Sequence, residues 1–418
     1  VLRQLKIERF KSIEHANLKF GKLNILIGTN ASGKSNFFDA LKVLQGVGYG
    51  LTIDEVFNGK SKGPTNLVWP EIRGGSEWAV YRSNAVRPYK TKKTDNRTTF
   101  QLSSIWDSEN GNISLDLIIN PIKGVIAHEE LGINSEFVYK TRSSSKARLI
   151  VEYNQPKTNK IGQEYNRSKI FTPNKAVLHQ IPEDEKISIS KLQWECIYAA
   201  ISNLSDSQRL DLSPVILRAP SRQGKAQRLG EQGEDFAAVI SNIIKDPLKK
   251  EALSKWLNLL TPSDIEAIKP LKTKIGDIYF GVKEGKKTVY APSLSDGTLR
   301  FAALLTVLFQ PSQPKILMIE EIENGIHPTR LKLLAELIQS RSEKSESQIF
   351  LTTHSPLLLA WLDKSLYEHV FFCYRKPDGS SGIKPLTEVP HLLKTLERFS
   401  VSELFAEGWL ESAITDES

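Results

Sequence analysis

Hydrophobic and polar positions along the chain fall into distinct textures. Residues 2–10 alternate in period two, and the pattern resumes over 18–27 with a Gly21-Lys22 turn inside it, which predicts strands. The run Leu23-Asn24-Ile25-Leu26-Ile27 is short, mostly apolar and ends at Gly28, as a buried strand does. Phe37, Phe38, Leu41 and Leu44 then recur at helical spacing, so a helix is predicted over 34–45. From about Trp69 to Lys175 the sequence is rich in β-branched residues and turns. Strands are predicted there over 78–81, 113–119 and 147–153, with a hairpin at Asn110-Gly111. From Ser190 to Leu260 the apolar spacing becomes helical, over 193–204 and 233–260, and no heptad persists long enough for a coiled-coil arm. Strands return over 278–290. Helix and strand then alternate over 298–309 (helix), 315–319 (strand), 330–341 (helix), 348–352 (strand) and 356–362 (helix). No internal repeat appears. These textures divide the chain at 1–185, 186–274 and 275–418.

Composition narrows the class. The 418 residues carry 40% hydrophobic and 25% charged side chains, an ordinary globular balance with enough chain for a large core. No apolar run reaches the roughly 18 residues that span a bilayer. Val1 to Lys19 holds five Lys or Arg and no small-residue cleavage site, so no signal peptide is predicted. Cys196 and Cys373 stand far apart, which excludes a disulfide scaffold and a Cys-x-x-Cys metal knuckle. A cytoplasmic location and no membrane partner are expected.

The net charge of +8 is uneven. Residues 140–175 hold nine basic and two acidic groups, and residues 82–97 hold six basic and one acidic, whereas 397–418 is acidic. The basic stretches would attract a polyanion or form a solvated face. In the first of them Tyr153, Tyr165 and Phe171 interleave with the charges, as in a groove for a nucleic-acid strand. Arg218, Arg222, Lys225 and Arg228 form a second candidate, with no acid nearby in sequence.

Four motifs carry chemistry. Gly28-Thr29-Asn30-Ala31-Ser32-Gly33-Lys34-Ser35 is a phosphate-loop pattern placed between a buried strand and a helix. Glycines let the backbone turn its N–H groups toward phosphate oxygens, and the helix N-terminus adds positive charge. Lys34 would bridge the β- and γ-phosphates, and the Ser35 hydroxyl would bind Mg²⁺. Lys315-Ile-Leu-Met-Ile-Glu320-Glu321 is a buried strand ending in two acids. Glu320 would hold the Mg²⁺ shell and Glu321 would polarise the attacking water. Leu294-Ser295-Asp296-Gly297-Thr298 opens an apolar helix, with Ser295 or Asp296 as its cap and its amides as an anion site. Gln348-Ile-Phe-Leu-Thr-Thr-His354-Ser355-Pro356 ends a strand in a histidine able to hydrogen-bond a γ-phosphate.

The order and spacing of these motifs resembles the ABC-type ATPase head of the RecF and structural-maintenance-of-chromosomes (SMC) group, in which they are Walker A, Walker B, the signature and the switch histidine. The resemblance covers about a third of the chain. Glu320-Glu321-Ile-Glu-Asn-Gly-Ile-His327-Pro328 is most similar to RecF-like and overcoming-lysogenization-defect (OLD) ATPases, with Ile322 where proline is usual. It implies an α/β fold, an ABC-type P-loop NTPase head with a mixed sheet flanked by helices, an antiparallel β subdomain and a helical insert. Residues 1–185 would be lobe I with Walker A, 186–274 the insert, and 275–418 lobe II with the signature, Walker B and switch histidine.

The resemblance further implies ATP and Mg²⁺ as substrate and cofactor, and a homodimer that sandwiches two nucleotides in composite sites. The nucleotide would touch Gly28, Asn30, Gly33, Lys34, Ser35 and Asn36 of one subunit, and Ser295 and Gly297 of the other. Glu321, His354 and Lys34 would be catalytic; Ser35 and Glu320 would hold the metal. The family's glutamine loop has no counterpart at Ile72-Arg73-Gly74-Gly75, which contains no glutamine. Phe405-Ala406-Glu407-Gly408 resembles the glutamate turn of the Toprim nuclease of OLD proteins, but no Asp-x-Asp follows it, so it is read as a helix end without nuclease activity. DNA is an expected partner, in repair. The alternative is an antiphage ATPase acting with a separate nuclease or effector, and a transporter-type nucleotide-binding domain is a distant third reading.

Overall fold

The computed structural model describes residues 1–61, 67–81, 98–154, 168–184, 187, 189–260 and 265–415. The chain forms two compact units. One comprises Val1–Gly21, Gly28–Ser207 and Phe371–Glu388; the other comprises Lys22–Ile27, Gln208–Val370 and Val389–Ser418.

The first unit is built on a long run of strands in the order Ser168–Phe171, Leu149–Tyr153, Glu136–Ser144, Val125–Ile133, Gly111–Asn120, Phe100–Ser108, Leu2–Phe10, Ile13–Lys19, Ser381–Pro385 and Val370–Arg375. Neighbours pair antiparallel except Ile13–Lys19 with Ser381–Pro385, which are parallel. Alternation drives the pairing: Phe100, Leu102 and Trp106 turn to one buried face while Gln101, Ser103 and Ile105 stay partly exposed. Asn110-Gly111 makes the predicted hairpin, with Gly111 at φ 123°. Buried Glu129 accepts hydrogen bonds from the Tyr139 hydroxyl at 2.7 Å and from the Val177 and Leu178 N–H groups, which ties the sheet to the turn of helix Val177–Gln180.

The helix Lys34–Gly48 is buried along nearly its whole length. Gly48 lets it press on helix Lys191–Ser205, because a Cβ there would stand 2.5 Å from the Ser205 backbone nitrogen. Gly48→Ala should therefore destabilise the protein by about 1–3 kcal/mol, as overpacking does. A urea melt checks this, and an unchanged midpoint would refute the close packing.

Two expectations change here. Residues 78–81 form a bend with one isolated bridge, Phe10 to Val80, instead of a strand. Gly74 and Gly75 at positive φ turn the chain just before it, and Trp78 is left exposed. The aromatic groove also dissolves: Tyr153 and Phe171 are buried and meet edge to face, ring centroids 6.5 Å apart. Both rings lie on the inward phase of their strands and cannot stack bases. Arg142 is paired with Glu152 at 2.8 Å, and Lys175 with Glu183. Tyr165 and the basic stretch 82–97 lie outside the described residues.

The second unit contains the parallel strands Leu23–Ile27, Gln348–Thr353 and Ile316–Ile319, in that order, followed by Ser207–Leu210. The three parallel strands are buried on both faces, which explains their near-continuous apolar runs. Ile27 pairs with Thr353, and Ile319 with Leu351, so their carboxyl ends are level. Ligands bind at such ends in α/β sheets. The helical texture of 190–260 resolves into Lys191–Ser205, Pro214–Arg218, Phe236–Ile243 and Pro247–Leu260, with the strand Ser207–Leu210 among them. Two three-stranded antiparallel sheets contain the predicted strands of 278–290. Phe405 does lie at a helix end: Val401–Ala406 stops before Gly408, which adopts φ 71°. Among the described residues no helix is long and apolar enough to cross a membrane.

Candidate active site

The phosphate loop belongs to the first unit. It curls through Gly28 at φ 150°, Ala31 at 62° and Gly33 at 108°. A side chain at Gly28 would collide with the Cys373 carbonyl, and one at Gly33 would come within 2.6 Å of the Ser381 hydroxyl. The lysine is buried in the curl: its Nζ donates to the carbonyls of Gly28 at 2.7 Å and Thr29 at 2.9 Å. The Ser32 hydroxyl is buried with no partner among the described residues. A cradle that admits no Cβ, a buried ammonium and an orphaned hydroxyl suit a phosphate. Asn30 is exposed at the loop's tip, and Ser35 is half-buried in the first helical turn. Asn36 donates to the Ser12 hydroxyl at 2.6 Å, and Ser12 in turn meets Ser381 at 2.7 Å, which braces the loop. Burial pushes the Cys373 thiol beneath it up to about 12, so this cysteine is inert.

The acids, the histidine and the signature belong to the second unit. Glu320 follows strand Ile316–Ile319, and its N–H donates to the Leu210 carbonyl. Its carboxylate is held by Arg209 of the neighbouring strand, with Nε at 2.8 Å and Nη2 on the same oxygen. Arg209 also lies 3.7 Å from Glu231. Glu321 is exposed and sits at φ 45°, a left-handed conformation that costs a non-glycine residue about 1–3 kcal/mol. The Thr352 hydroxyl accepts its N–H at 2.9 Å, and Asn324 donates to its carboxylate at 3.3 Å. Ile322, in the position of the usual proline, donates its N–H to the Thr352 carbonyl, a bond proline could not make. Glu323 accepts the main-chain N–H of His354 at 2.8 Å. Thus the structure brings Glu321 and His354 together through Thr352 and Glu323.

Ser295 caps helix Asp296–Phe309, its hydroxyl accepting the Thr298 N–H at 3.2 Å. Gly297 touches the Gly325 backbone so closely that any side chain would collide with the Gly325 carbonyl. The signature and the Glu-Asn-Gly turn after the acids therefore interlock. Arg218 donates to Asp296 at 2.6 Å and to the Leu294 carbonyl, while Arg228 is bound by Ser312 and Gln313. Two of the four arginines and lysines of the second basic candidate are thus engaged inside the protein, one of them with an acid distant in sequence.

Sequence reasoning missed Arg209, Ser12 and Glu323, and took Arg218 for part of a basic surface instead of the partner of Asp296. Only Glu323 carried a signal, its place in the Glu-Glu-Ile-Glu-Asn-Gly run. Ser35 and Glu320 are oxygen donors, the donor chemistry that a hard divalent cation such as Mg²⁺ takes.

Comparison with known proteins places the chain. It is 25% identical over 403 residues to a Helicobacter pylori protein named ATP/GTP phosphatase, covering 90% of this chain and 93% of that one. An SMC head crystallised with the C-winged helix domain of ScpA aligns with TM-score 0.51 at 16% identity, over 92% of this chain and 96% of the other. The fold is that of an SMC-like ABC-type ATPase head, as the motif order implied. A family model described as "AAA domain, putative AbiEii toxin, Type IV TA system" matches residues 23–360. The match spans most of the chain, which belongs to this family of AAA-domain ATPases.

Proposed function

We propose that this ATPase binds Mg·ATP on the Gly28–Ser35 loop, hydrolyses it with Glu321 and His354, and uses the bound nucleotide to join two copies of the chain. The observation that carries the reading is Lys34, a buried ammonium satisfied by two carbonyls of its own loop. It is ready to exchange them for phosphate oxygens, so that the ammonium meets full negative charges in place of carbonyl dipoles. Ser35 and Glu320 would hold Mg²⁺, which neutralises charge on the phosphates. Glu321 accepts a proton from the attacking water, and His354 contacts the terminal phosphate. Ser295 and Gly297 of a second copy close over the same nucleotide. ATP then favours the dimer because it contacts both subunits only when they are joined.

The dimer cycle is proposed to drive DNA engagement of the RecF kind. A second reading is an antiphage ATPase acting with a separate effector; beside it stands the family's description, which names a toxin of a type IV toxin–antitoxin system. Steady-state hydrolysis with and without double-stranded DNA separates them. Under the first reading DNA raises a Glu321-dependent rate, and added salt removes the rise as counterions compete. A rate indifferent to DNA at low salt would refute it and favour the second.

A further inference from the structure

We infer that Glu323 is a positioning residue for His354, fixing the ring so that its Nε2 faces the reaction. The inference rests on the proposed reading of His354 as the residue that meets the terminal phosphate. Glu323 lies in the turn after the two acids, with 8% of its surface exposed. One carboxylate oxygen, Oε1, accepts the main-chain N–H of His354 at 2.8 Å and stands 3.2 Å from the ring's Nδ1. The ring itself is half exposed. One buried oxygen thus addresses both the backbone and the side chain of the same residue.

Nδ1 lies within ion-pair distance of Oε1, short of an aligned hydrogen bond; a carboxylate that accepts from it would need the proton on Nδ1. That choice leaves Nε2 as the ring nitrogen available to a phosphate oxygen or to water. The second oxygen, Oε2, argues that this is more than a loop staple. It is buried and has no partner among the described residues. A buried acceptor left unmade is costly, and such groups in native proteins call for a reason. Bonding the backbone alone would be served as well by a neutral side chain. A carboxylate is needed to pin the tautomer and the orientation, as partners of reactive histidines do elsewhere.

A double-mutant cycle on the full chain tests this, with Glu323→Ala, His354→Ala and both together. Glu323→Ala should lower kcat about 10- to 100-fold, leave the KM for ATP and the affinity for ADP unchanged, and add nothing in the His354→Ala background. Losses that multiply, or a fall in ADP affinity, would overturn the inference in favour of a structural role. A second readout needs no turnover. In ¹⁵N-histidine-labelled protein without nucleotide, the signal absent from His354→Ala should report a ring protonated at Nδ1, and Glu323→Ala should move it toward the average of the two tautomers. An unmoved signal would overturn the inference. Should the alanine variant not fold, Glu323→Asp keeps the charge, withdraws the oxygen and carries the same cycle. If His354→Ala hydrolyses ATP at the wild-type rate, the reading of His354 itself fails, and the nitrogen signal still decides whether Glu323 holds the ring.

Discussion

Glu321→Gln is expected to slow ATP hydrolysis by about 10²–10⁴-fold, the usual contribution of a positioned acid or base, while leaving ATP affinity intact. The substitution preserves shape and removes the proton acceptor. The backbone should tolerate it: the Thr352 hydroxyl holds the Glu321 N–H whatever the side chain, and Gln meets the same strain at φ 45°. That strain supports the assignment. A left-handed glutamate next to a strand end is held there by its surroundings, and such conformations cluster at functional sites. Because binding survives and turnover does not, the proposed dimer should persist. Light scattering with Mg·ATP should show the variant as a stable dimer and the wild type as one that decays with phosphate release. A variant that hydrolyses at the wild-type rate would remove Glu321 from the mechanism. One that stops turning over but stays monomeric would separate hydrolysis from the dimer.

The legibility of this site in sequence followed the range of its constraints. The phosphate loop is local: Gly28, Ala31 and Gly33 carry the positive φ angles of its curl, and the lysine folds back within six residues. Strand Leu23–Ile27, buried on both faces, is readable from its apolar run alone. What sequence could not give depends on distant partners. Arg209 reaches Glu320 across more than a hundred residues, and a single arginine in a short strand carries no signal. Tyr153 and Phe171 looked like a binding surface because composition does not say which phase of a strand faces inward; the pairing of Leu149–Tyr153 with Ser168–Phe171 decided it. Residues 78–81 have strand-forming side chains but only one bridging position, and propensity without a partner strand is not a strand. The division into units was equally hidden, since Lys22–Ile27 belongs to one unit and the loop that follows it to the other.

Lys34→Ala is expected to abolish measurable ATP binding under conditions that saturate the wild type. Each hydrogen bond from an ammonium to a charged partner contributes about 1.5–3 kcal/mol, so losing two weakens affinity by at least about 100-fold. The fold should survive, because the bonds from Lys34 to the Gly28 and Thr29 carbonyls lie within a loop whose curl is set by its glycines. Thermal unfolding distinguishes the two effects. A ligand at 100 times its Kd stabilises the native state by about 2.7 kcal/mol, so Mg·ATP should raise the Tm of the wild type and leave that of the variant where it was. Without nucleotide, the two proteins should melt within a few degrees of each other (~1 kcal/mol or less). A variant that collapses without nucleotide would make Lys34 a structural residue first. One that still shifts with Mg·ATP would move the phosphate site away from this loop, and the roles of Ser35 and of the paired signature would fall with it.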